Sequence, residues 1–453
     1  MNAMQPFSHQ AKTTQFILNN KRCLITSDPG TGKTRSVLDA YAQRKQGKML
    51  VLAPLSILQA SWGDDIEKFQ PKLTYSIAFA KNREAAFSSD ADIVITNHDA
   101  VKWIIKNVRV LNKFDTLCID EFTAFKNRTS QRSKVLKRFV DEFKYRIAMS
   151  GTPNSNTIQD MWHPCLLVDD GDRLGRLFSK FRDEMCTNLP SMYTRFGTWE
   201  DKPDAEERVA ALINDINIRY QLEDCIDMPE RITTQLYVDL PDRIRAKYLV
   251  LQEDSVLYTG KATINAIHAG AKVQKLLQLC TGAIYDQDGV AQGIHKERYK
   301  LVIDLVAERK HSLVAFNWSH EKQYLTELAE SMGINYAVID GSTPASKRGE
   351  IVNHFQSGQL QVLFAHPQSA GHGLTLTKAT TVIWSSPTYN AEHYEQFNGR
   401  IYRAGQNKKT EIIQIAARNT WEIEVYEKLE TKLTKMEDLL GILTNLHQLA
   451  KTG

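Results

Sequence analysis

Short apolar runs recur along the sequence, and each is followed by a turn signal and then by a helical pattern. The runs of the first half are RCLIT (22–26), KMLVLA (48–53), ADIVIT (91–96), DTLCID (115–120) and YRIAMS (145–150). Those of the second half are HSLVAF (311–316), NYAVID (335–340), QVLFAH (361–366), TTVIWS (380–385) and EIIQIA (411–416). Apolar runs that alternate with helices are typical of buried parallel strands. The sequence therefore predicts two α/β domains, each with a parallel sheet.

The chain of 453 residues is too long for one ordinary domain, and its apolar share of 42% is enough for buried cores. We expect a first domain over residues 1–228, with a helical insertion at about 157–218. A second domain is expected over 229–453, with a helical insertion at about 240–295 and a core at about 296–440. The boundary is placed in DMPERITTQ (227–235), where a proline interrupts the pattern.

Several protein classes are disfavoured by composition. The six cysteines are scattered without a CxxC pair, which argues against a zinc site or a disulfide framework. The N-terminal MNAMQPFSHQ has no signal-peptide pattern, and no apolar run approaches the ~20 residues that span a bilayer. We expect a cytoplasmic protein (in the host cytoplasm if it is viral) with no membrane partner. The net charge of +4 permits local nucleic-acid-binding patches without indicating them.

A phosphate-binding loop is predicted in LITSDPGTGKTRSVLDAYAQ (24–43), where a strand, a glycine-rich turn and an amphipathic helix follow one another. Backbone N–H groups of such a turn and the helix N-terminus attract phosphate. Lys33 would reach the β- and γ-phosphates, and the Thr34 hydroxyl would bind Mg²⁺. The residues expected to contact the nucleotide here are Asp28, Pro29, Gly30, Thr31, Gly32, Lys33 and Thr34. Ser27 stands where the usual pattern has its first glycine.

Two further strands end in polar residues that fit this loop. LCIDEFTAFKN (117–127) ends a strand in Asp120 and Glu121, which could hold Mg²⁺ and orient the attacking water. The alternative is a solvated acidic pair, which is common at strand ends. RIAMSGTPNSN (146–156) ends a strand in small hydroxylated residues, which could couple the γ-phosphate to domain movement or could form an ordinary turn.

Two arginines stand three positions apart in QFNGRIYRAGQ (396–406), with no acidic residue between them. On a helix, residues i and i+3 share a face, so we expect Arg400 and Arg403 to project side by side. Exposure to water is the ordinary fate of an arginine pair. The other motifs of the chain favour a phosphate partner instead.

The order of motifs resembles that of superfamily-two helicase-type ATPases, specifically the Swi/Snf branch of DNA translocases. The motifs that carry the resemblance are DPGTGKT (28–34), VLAPLSILQASWGDDIEKF (51–69), ITNHDA (95–100), IDEFTAFKN (119–127), MSGTPNSN (149–156), LCTGAIYDQDG (279–289), DGSTPASKRGEIVNHFQSG (340–358), SAGHGLTLTKATTVIW (369–384) and QFNGRIYRAGQ (396–406). They cover nearly the whole chain in the family order.

The resemblance implies two tandem RecA-like doubly wound parallel-sheet domains with short helical insertions and an ATP cleft between them. ATP and Mg²⁺ would be the cofactors. Arg400 and Arg403 would meet the γ-phosphate held by Lys33, with Gln396 lining the cleft. Gln10 corresponds to the adenine-reading glutamine of the family. Gly373 is also expected at the nucleotide.

Besides Ser27, the chain departs from the family pattern at two further places. Phe122 and Thr123 replace the Ala-His that usually follows the Asp-Glu pair, so the link from ATP to nucleic acid is expected to run differently. Tyr389, in SSPTYNAEH (385–393), replaces a tryptophan but keeps an aromatic ring that can stack or pack.

A motor that moves along nucleic acid must hold the phosphate backbone without reading sequence. The resemblance places the contacts on small, hydroxyl-rich turns at strand ends, with Lys126 from a basic stretch (126–138) as one added cation. The residues expected to bind nucleic acid are Pro54, Ser56, Thr96, Asn97, Lys126, Asn317, Trp318, Gly341, Ser342, Thr343, Gly371, Thr375 and Tyr389. For each of these turns, an ordinary strand-to-helix connection is the competing interpretation.

The function expected from this resemblance is an ATP-dependent DNA translocase or helicase-like motor in replication, repair or recombination. The substrate would be DNA, with duplex favoured over single strands, and the motor would act as a monomer. Its compact form is compatible with a bacteriophage or bacterial protein. Two alternatives remain: a strand-separating helicase, and an ATP-gated DNA-binding clamp with little turnover. A small-molecule kinase would leave the paired arginines unexplained.

Overall fold

The computed structural model describes residues 5–452 except 155, 191–196, 255, 260–261, 266–268, 287 and 371–373. The chain divides into two compact units. Unit 1 comprises Met1–Asp227 and Lys432–Gly453, and unit 2 comprises Met228–Thr431. This division begins unit 2 one residue earlier than the sequence-based boundary. It also places the last residues of the chain in the first unit, whereas the sequence-based division assigns them to the second.

Unit 1 contains a seven-stranded sheet in the order β3-β4-β2-β5-β6-β1-β9, in which all neighbouring strands are parallel. An antiparallel hairpin of β7 and β8 lies outside this sheet. The strands of unit 1 are β1 Arg22–Ile25, β2 Lys48–Ala53, β3 Tyr75–Ala78, β4 Ile93–Asn97, β5 Phe114–Asp120, β6 Tyr145–Met149, β7 Cys186–Leu189, β8 Thr198–Asp201 and β9 Asn217–Ile218.

Helices connect these strands and cover both faces of the sheet. The α-helices that lie wholly in unit 1 are α1 Ser8–Asn19, α2 Lys33–Arg44, α3 Asp64–Phe69, α4 Arg83–Ser88, α5 Val101–Ile104, α6 Gln131–Lys137, α7 Trp162–Asp169, α8 Phe178–Met185, α9 Ala205–Ile213 and α10 Leu222–Cys225. Short 3₁₀ segments are Leu55–Ile57, His98–Ala100, Ile105–Lys113, Phe122–Phe125, Val140–Glu142, Ile158–Met161 and Asn214–Ile216, and Leu58–Gly63 is a π-helical turn.

Strand β2 shows why its sequence is apolar without alternation. Leu50 and Leu52 belong to the core on one face of the sheet. Met49 and Val51 belong to the core on the other face. Because successive side chains of a strand point to opposite faces, a strand covered on both sides needs apolar residues at every position. This is the pattern from which the parallel sheet was predicted.

Unit 2 contains a six-stranded sheet in the order β10-β19-β18-β15-β17-β16, again with parallel neighbours throughout. Two antiparallel hairpins, β11 with β12 and β13 with β14, accompany it. The strands are β10 Arg231–Val238, β11 Val256–Thr259, β12 Ala262–Asn265, β13 Ala283–Tyr285, β14 Ala291–Gly293, β15 Ser312–Ala315, β16 Tyr336–Ile339, β17 Val362–Ala365, β18 Thr381–Trp384 and β19 Thr410–Ala417.

The remaining helices begin in unit 2, and the last of them extends into the residues assigned to unit 1. They are α11 Asp242–Asp254, α12 Ala269–Cys280, α13 Glu297–Ala307, α14 Ser319–Ser331, α15 Ala345–Gln356, α16 Pro367–Ala370, α17 Ala391–Asn398 and α18 Trp421–Thr452. In the part of the chain that the structure describes, no helix combines the length and the apolar character needed to cross a bilayer.

All ten predicted runs form strands, and the two parallel sheets confirm the predicted fold class. Helices also lie within the two segments predicted as helical insertions, about 157–218 and about 240–295; α9 is in the first and α12 in the second. Three strands of the parallel sheets, β3, β9 and β10, and the six strands of the antiparallel hairpins match none of the predicted runs. Of these, β10 is an edge strand with mostly exposed residues, so it lacks the continuous apolar character on which the prediction relied.

Candidate nucleotide site and nucleic-acid surface

Two glycines shape the turn between β1 and α2. Gly30 and Gly32 adopt left-handed backbone conformations, with φ of 88° and 81°. The Thr31 hydroxyl donates a hydrogen bond to the carbonyl of Asp28 (2.8 Å) and helps to close the turn. A Cβ atom added to Gly32 would lie 2.2 Å from Nε2 of Gln10. The turn leads directly into Lys33 at the start of α2, which is the arrangement that presents backbone N–H groups to a phosphate.

Lys33 lies close to the predicted acidic pair. Its Nζ donates to the carbonyl oxygens of Ser27 (2.8 Å) and Asp28 (3.1 Å). Burial lowers the pKa of Lys33, and the nearby carboxylates of Glu121 and Asp120 oppose that shift. Residues 33 and 120–121, which were predicted separately, therefore belong to one electrostatic cluster. A triphosphate would offer this ammonium group stronger, charged acceptors than the two carbonyls.

Asp120 ends β5 and is almost fully buried. Its Oδ2 accepts a hydrogen bond from the indole N–H of Trp62 (2.8 Å). Burial, and then the charge of Glu121, raises the pKa of Asp120 to about 7. A carboxylate in so negative a setting is stabilised by a nearby cation.

Glu121 has a left-handed backbone with φ of 53°, a conformation that costs a non-glycine residue on the order of 1–3 kcal/mol. Its Oε2 accepts a hydrogen bond from Oγ of Ser150 (3.0 Å), which follows the neighbouring strand β6. Gly151 permits the close approach of this segment to the phosphate loop, because a Cβ there would lie 2.7 Å from Cδ of Pro29. The segment that follows the adjacent strand thus holds the carboxylate of a residue whose backbone is strained.

The donor set fits a magnesium ion that shares its coordination shell with a nucleotide. Mg²⁺ prefers oxygen ligands and is usually bound by one or two carboxylates together with phosphates and water. Asp120 supplies the carboxylate, and a divalent cation would relieve the charge repulsion that raises its pKa. Thr34 supplies a hydroxyl in the first turn of α2.

A cluster of aromatic rings that the sequence does not predict lies beside Gln10. The buried Gln10 donates from Nε2 to the carbonyl of Thr31 (3.2 Å) and accepts from the Phe7 N–H (3.1 Å). His9 contacts the same Thr31 carbonyl through Nε2 (2.8 Å). The rings of Phe7 and Tyr220 each lie 5.8 Å from the His9 ring. Since Tyr220 is far away in sequence, no local pattern indicated this cluster.

The side chain of Asp28 is used within the protein. Its carboxylate accepts from Arg219 Nη2 (2.8 Å) and from the Leu222 N–H (2.9 Å). Arg219 also donates to the carbonyl of Thr26. These contacts tie the phosphate loop to the segment after β9. A nucleotide contact by Asp28 would therefore use its backbone, and Arg219 is a residue of the loop's support that sequence reasoning did not identify.

The paired arginines of unit 2 converge, although not on a helix. Arg400 Nη1 (3.2 Å) and Arg403 Nη1 (2.9 Å) both donate to the carbonyl of Leu374. The expected helix is wrong here, since α17 ends at Asn398. The Arg400 side chain itself donates through Nε to the Gln396 carbonyl (2.7 Å), the acceptor that a continuing helix would give to the backbone N–H of Arg400.

Gln396 is buried near these arginines, and its Nε2 lies 3.4 Å from Oε1 of Glu392. Gly371 and Gly373, predicted to bind nucleic acid and nucleotide, lie outside the described residues. In the sequence, Gly373 is the residue before Leu374, whose carbonyl accepts hydrogen bonds from both arginines.

In unit 1, the residues predicted to bind nucleic acid lie in the loop after β2, at the end of β4 and just after β5. Pro54 and Ser56 are partly exposed after β2. Asn97 accepts a hydrogen bond from Arg83 Nη2 (3.2 Å). Thr96 departs from the prediction, because it is fully buried and its hydroxyl donates to the carbonyl of Ala78 (2.8 Å). Lys126 forms an ion pair with Asp160 (3.4 Å).

In unit 2, the corresponding loops follow β15, β16 and β18. Asn317 donates from Nδ2 to Oγ of Ser386 (2.9 Å), which joins the first loop to the third. Trp318 beside it is partly exposed, and Tyr389 in the third loop is exposed. The remaining predicted residues, all exposed or partly exposed, are Gly341, Ser342, Thr343 and Thr375.

Comparison with protein families identifies the two halves of the chain. The model of the SNF2-related domain matches residues 9–282, and that of the helicase conserved C-terminal domain matches residues 297–405. The first match covers more than half of the chain. The chain belongs to the SNF2 family. It is an ATP-hydrolysing enzyme of helicase superfamily two, in the class of DNA translocases and helicase-like motors.

Relatives of this SNF2 chain include viral, mammalian and bacterial proteins. Putative protein p41 of Acyrthosiphon pisum secondary endosymbiont phage 1 is 28% identical, over 97% of this chain and 98% of the relative. The DNA annealing helicase and endonuclease ZRANB3 of Bos taurus is 25% identical over 91% of this chain. The putative ATP-dependent helicase/translocase YwqA of Bacillus subtilis (strain 168) is 21% identical over 92% of this chain.

The chain spans 38% of the Bos taurus protein and 46% of the Bacillus subtilis protein. Among solved structures, the Sulfolobus solfataricus SWI2/SNF2 ATPase core in complex with dsDNA matches with 20% identity and a TM-score of 0.44. That match covers 100% of this chain and 96% of the other.

The structure of this SNF2 chain shows what accompanies the replacement of the usual Ala-His after the acidic pair. Phe122 and Thr123 are both buried. His98, the first residue of the 3₁₀ segment after β4, lies at the acidic pair instead, with its Nε2 2.8 Å from the carbonyl of Asp120. His98 directly follows Asn97, the last residue of β4. A segment predicted to bind nucleic acid is thereby joined to the end of the strand that carries the acidic pair.

Proposed function

We propose that this protein couples ATP hydrolysis to movement along DNA, with each unit contributing part of the catalytic machinery. Family membership supports the class of motor. The observation that carries the assignment of residues is the cluster formed by Lys33, Asp120 and Glu121 at the carboxyl ends of β1 and β5, beside a glycine-shaped phosphate loop.

In unit 1, Lys33 binds the terminal phosphates, and the N–H groups of residues 30–34 cradle them. A Mg²⁺ ion held by Thr34 and Asp120 would neutralise phosphate charge. Glu121 orients the attacking water, with Ser150 holding its carboxylate in place. Gln10 and the rings of Phe7, His9 and Tyr220 offer an adenine-binding surface next to the loop.

In unit 2, Arg400 and Arg403 supply positive charge to the phosphoryl group that is transferred. Their common contact with Leu374 supports a shared role, because one carbonyl orients both guanidinium groups. An arginine that stabilises this transition state contributes on the order of 10³–10⁵ in rate. Since the acidic residues and the arginines belong to different units, hydrolysis is tied to the movement of one unit towards the other.

DNA is bound through the phosphate backbone by the loops after β2, β4, β15, β16 and β18. The side chain of Thr96 takes no part, because it is buried. Asn97, Trp318 and Tyr389 are among the candidates whose side chains are exposed or partly exposed. Duplex is the favoured track, and the biological setting is replication, repair or recombination.

The test is steady-state ATP hydrolysis with no nucleic acid, duplex DNA, single-stranded DNA and RNA. We expect stimulation by DNA. Lys33→Ala and Arg403→Ala should each abolish it, with a loss on the order of 10³ for the arginine. Arg243→Ala, which removes an exposed cation from α11 of the same unit, should match the parent. Parental hydrolysis by Arg403→Ala would refute the role of the second unit.

A further inference from the structure

A cavity of about 530 Å³ in unit 2 has a lining of unusual composition. It lies where the loops after β15 and β18 meet the helices α12 and α18. The lining residues are Val273, Gln274, Leu277, Asn317, Trp318, Pro387, Thr388, Tyr389, Trp421 and Lys428. Three of these ten residues are aromatic, one is a cation and none is acidic. Its volume is within the range of pockets that bind a small molecule.

The two loops that form the cavity are held by one buried carboxylate. Glu321 Oε2 accepts from the N–H groups of Asn317 (2.7 Å) and Trp318 (3.0 Å) in the first loop. The same side chain accepts from the hydroxyls of Ser385 (2.9 Å) and Ser386 (3.0 Å) in the loop after β18. Glu321 is completely buried. The cavity is therefore a preorganised site rather than a chance gap between mobile loops.

The opposite wall supplies an aromatic ring and a positive charge. Nζ of Lys428 lies 5.6 Å from the centroid of the Trp421 ring, both on α18. Val273 and Leu277 of α12 add apolar surface. Burial raises the pKa of the Tyr389 phenol, and the nearby negative charge of Glu424 raises it further. A planar apolar ligand that carries a negative charge close to its ring matches this lining, because the rings stack and the lysine pairs with the anion.

We propose that this cavity binds a single unpaired nucleobase of the DNA on which the motor acts, with Lys428 meeting the adjoining phosphate. The inference rests on the proposed function, since it is the DNA-binding loops that bring a strand to the mouth of the cavity. Every nucleobase offers a stacking face, so the site would not interfere with movement along any sequence.

The cost of exposing a base determines which DNA would bind at the site. Extracting a paired base from a duplex costs unstacking and unpairing, and one stacked base returns only part of that cost. A base that is already unpaired has no such cost. The site therefore distinguishes DNA with a gap or junction from uninterrupted duplex.

The experiment compares the affinity of the full chain for two fluorescent duplexes that carry the same short single-stranded gap. In one duplex the gap contains bases, and in the other it contains abasic residues with the same phosphates. We expect the parent to bind the duplex with bases about ten-fold more tightly. Tyr389→Ala should remove this difference, and Tyr389→Phe, which keeps the ring, should retain it.

Tyr237→Ala is the matched control, because Tyr237 is 39% exposed and Tyr389 38% exposed, yet Tyr237 is absent from the cavity lining. It should bind both duplexes as the parent does. Equal affinity of the parent for both duplexes would overturn the base site, as would a base-dependent difference that survives Tyr389→Ala. If DNA still stimulates ATP hydrolysis by the parent in that case, the motor function stands. If no DNA stimulates hydrolysis, both proposals fail.

Discussion

Gly32 is a residue of the phosphate loop where both the backbone and the available space oppose a side chain. Its φ of 81° is unfavourable for any side chain, and a Cβ there would lie 2.2 Å from Gln10 Nε2. We expect Gly32→Ala to lower the free energy of unfolding by about 1–3 kcal/mol and also to weaken ATP binding, because Gln10 must leave the loop. Thermal unfolding and the fluorescence of a labelled ATP analogue measure the two effects.

Gly175→Ala serves as a control that separates the effect of backbone strain from the effect of displacing Gln10. Gly175 has a similar φ of 76°, but an added Cβ would meet nothing within 4 Å. The substitution should therefore cost stability through the backbone alone and leave ATP binding at the parental level. Equal losses of ATP affinity in the two variants would contradict a specific role for Gln10.

His98 is expected to transmit DNA binding to the acidic pair. It joins the Asn97 loop to the carbonyl of Asp120. We predict that His98→Ala lowers DNA-stimulated hydrolysis by about ten-fold, a typical coupling effect, and lowers hydrolysis without DNA by a smaller factor. His98→Gln, whose amide can donate to the same carbonyl, should recover part of the stimulation. A proportional fall in both rates would argue for a purely structural role.

At the scale of elements, α7 and α14 each contain a buried histidine that links stability to pH. Burial lowers the pKa of both His163 and His320 to about 4. An unfolded histidine titrates near pH 6.5. Between pH 6.5 and 4 the unfolded chain therefore binds protons that the folded chain does not bind. Stability from these groups is complete above pH 6.5 and falls as the pH drops towards 4, by about 2 kcal/mol per histidine at pH 5.

Urea unfolding at pH 7 and pH 5 measures this loss. His320→Gln removes one titrating group, so its stability should depend less steeply on pH than that of the parent, whatever its stability at pH 7. Because His320 contacts the carbonyl of Thr281 (3.1 Å), some loss at pH 7 is also expected. An unchanged pH dependence would show that His320 takes up a proton in the folded protein as readily as in the unfolded chain.

The same scale explains what the sequence could predict. Strands covered on both faces, such as β2, have a continuous apolar pattern and were found. The edge strand β10 is mostly exposed and has no continuous apolar pattern. It forms a strand because it pairs over eight residues with β19, which is far away in the chain. The end of α17 escaped prediction for a related reason, because a side-chain contact from Arg400 replaces the next helical hydrogen bond. The Tyr220 ring beside His9 likewise depends on tertiary contact alone.

At the scale of the whole molecule, unit 1 is built from both ends of the chain. Leu439 and Leu443 of α18 are buried in the same core as residues of β1, β2 and β5. Lys435 adds an ion pair with Asp201 (3.7 Å) and a backbone contact with Asn154 (3.4 Å). The last turns of the chain are therefore part of the folding unit that carries the phosphate loop, and a sequence-based division after residue 228 could not reveal this.

Each unit has its own core, so thermal unfolding should show one transition for each. A non-hydrolysable ATP analogue should raise the transition of unit 1, because a ligand stabilises the unit that binds it. Leu439→Ala should lower that same transition, with a loss of about 2–5 kcal/mol. Leu251→Ala, an equally buried leucine in a core of unit 2, should lower the other. If Leu439→Ala shifted only the transition that the analogue leaves unchanged, the assignment of the C-terminal residues to the nucleotide-binding unit would be wrong.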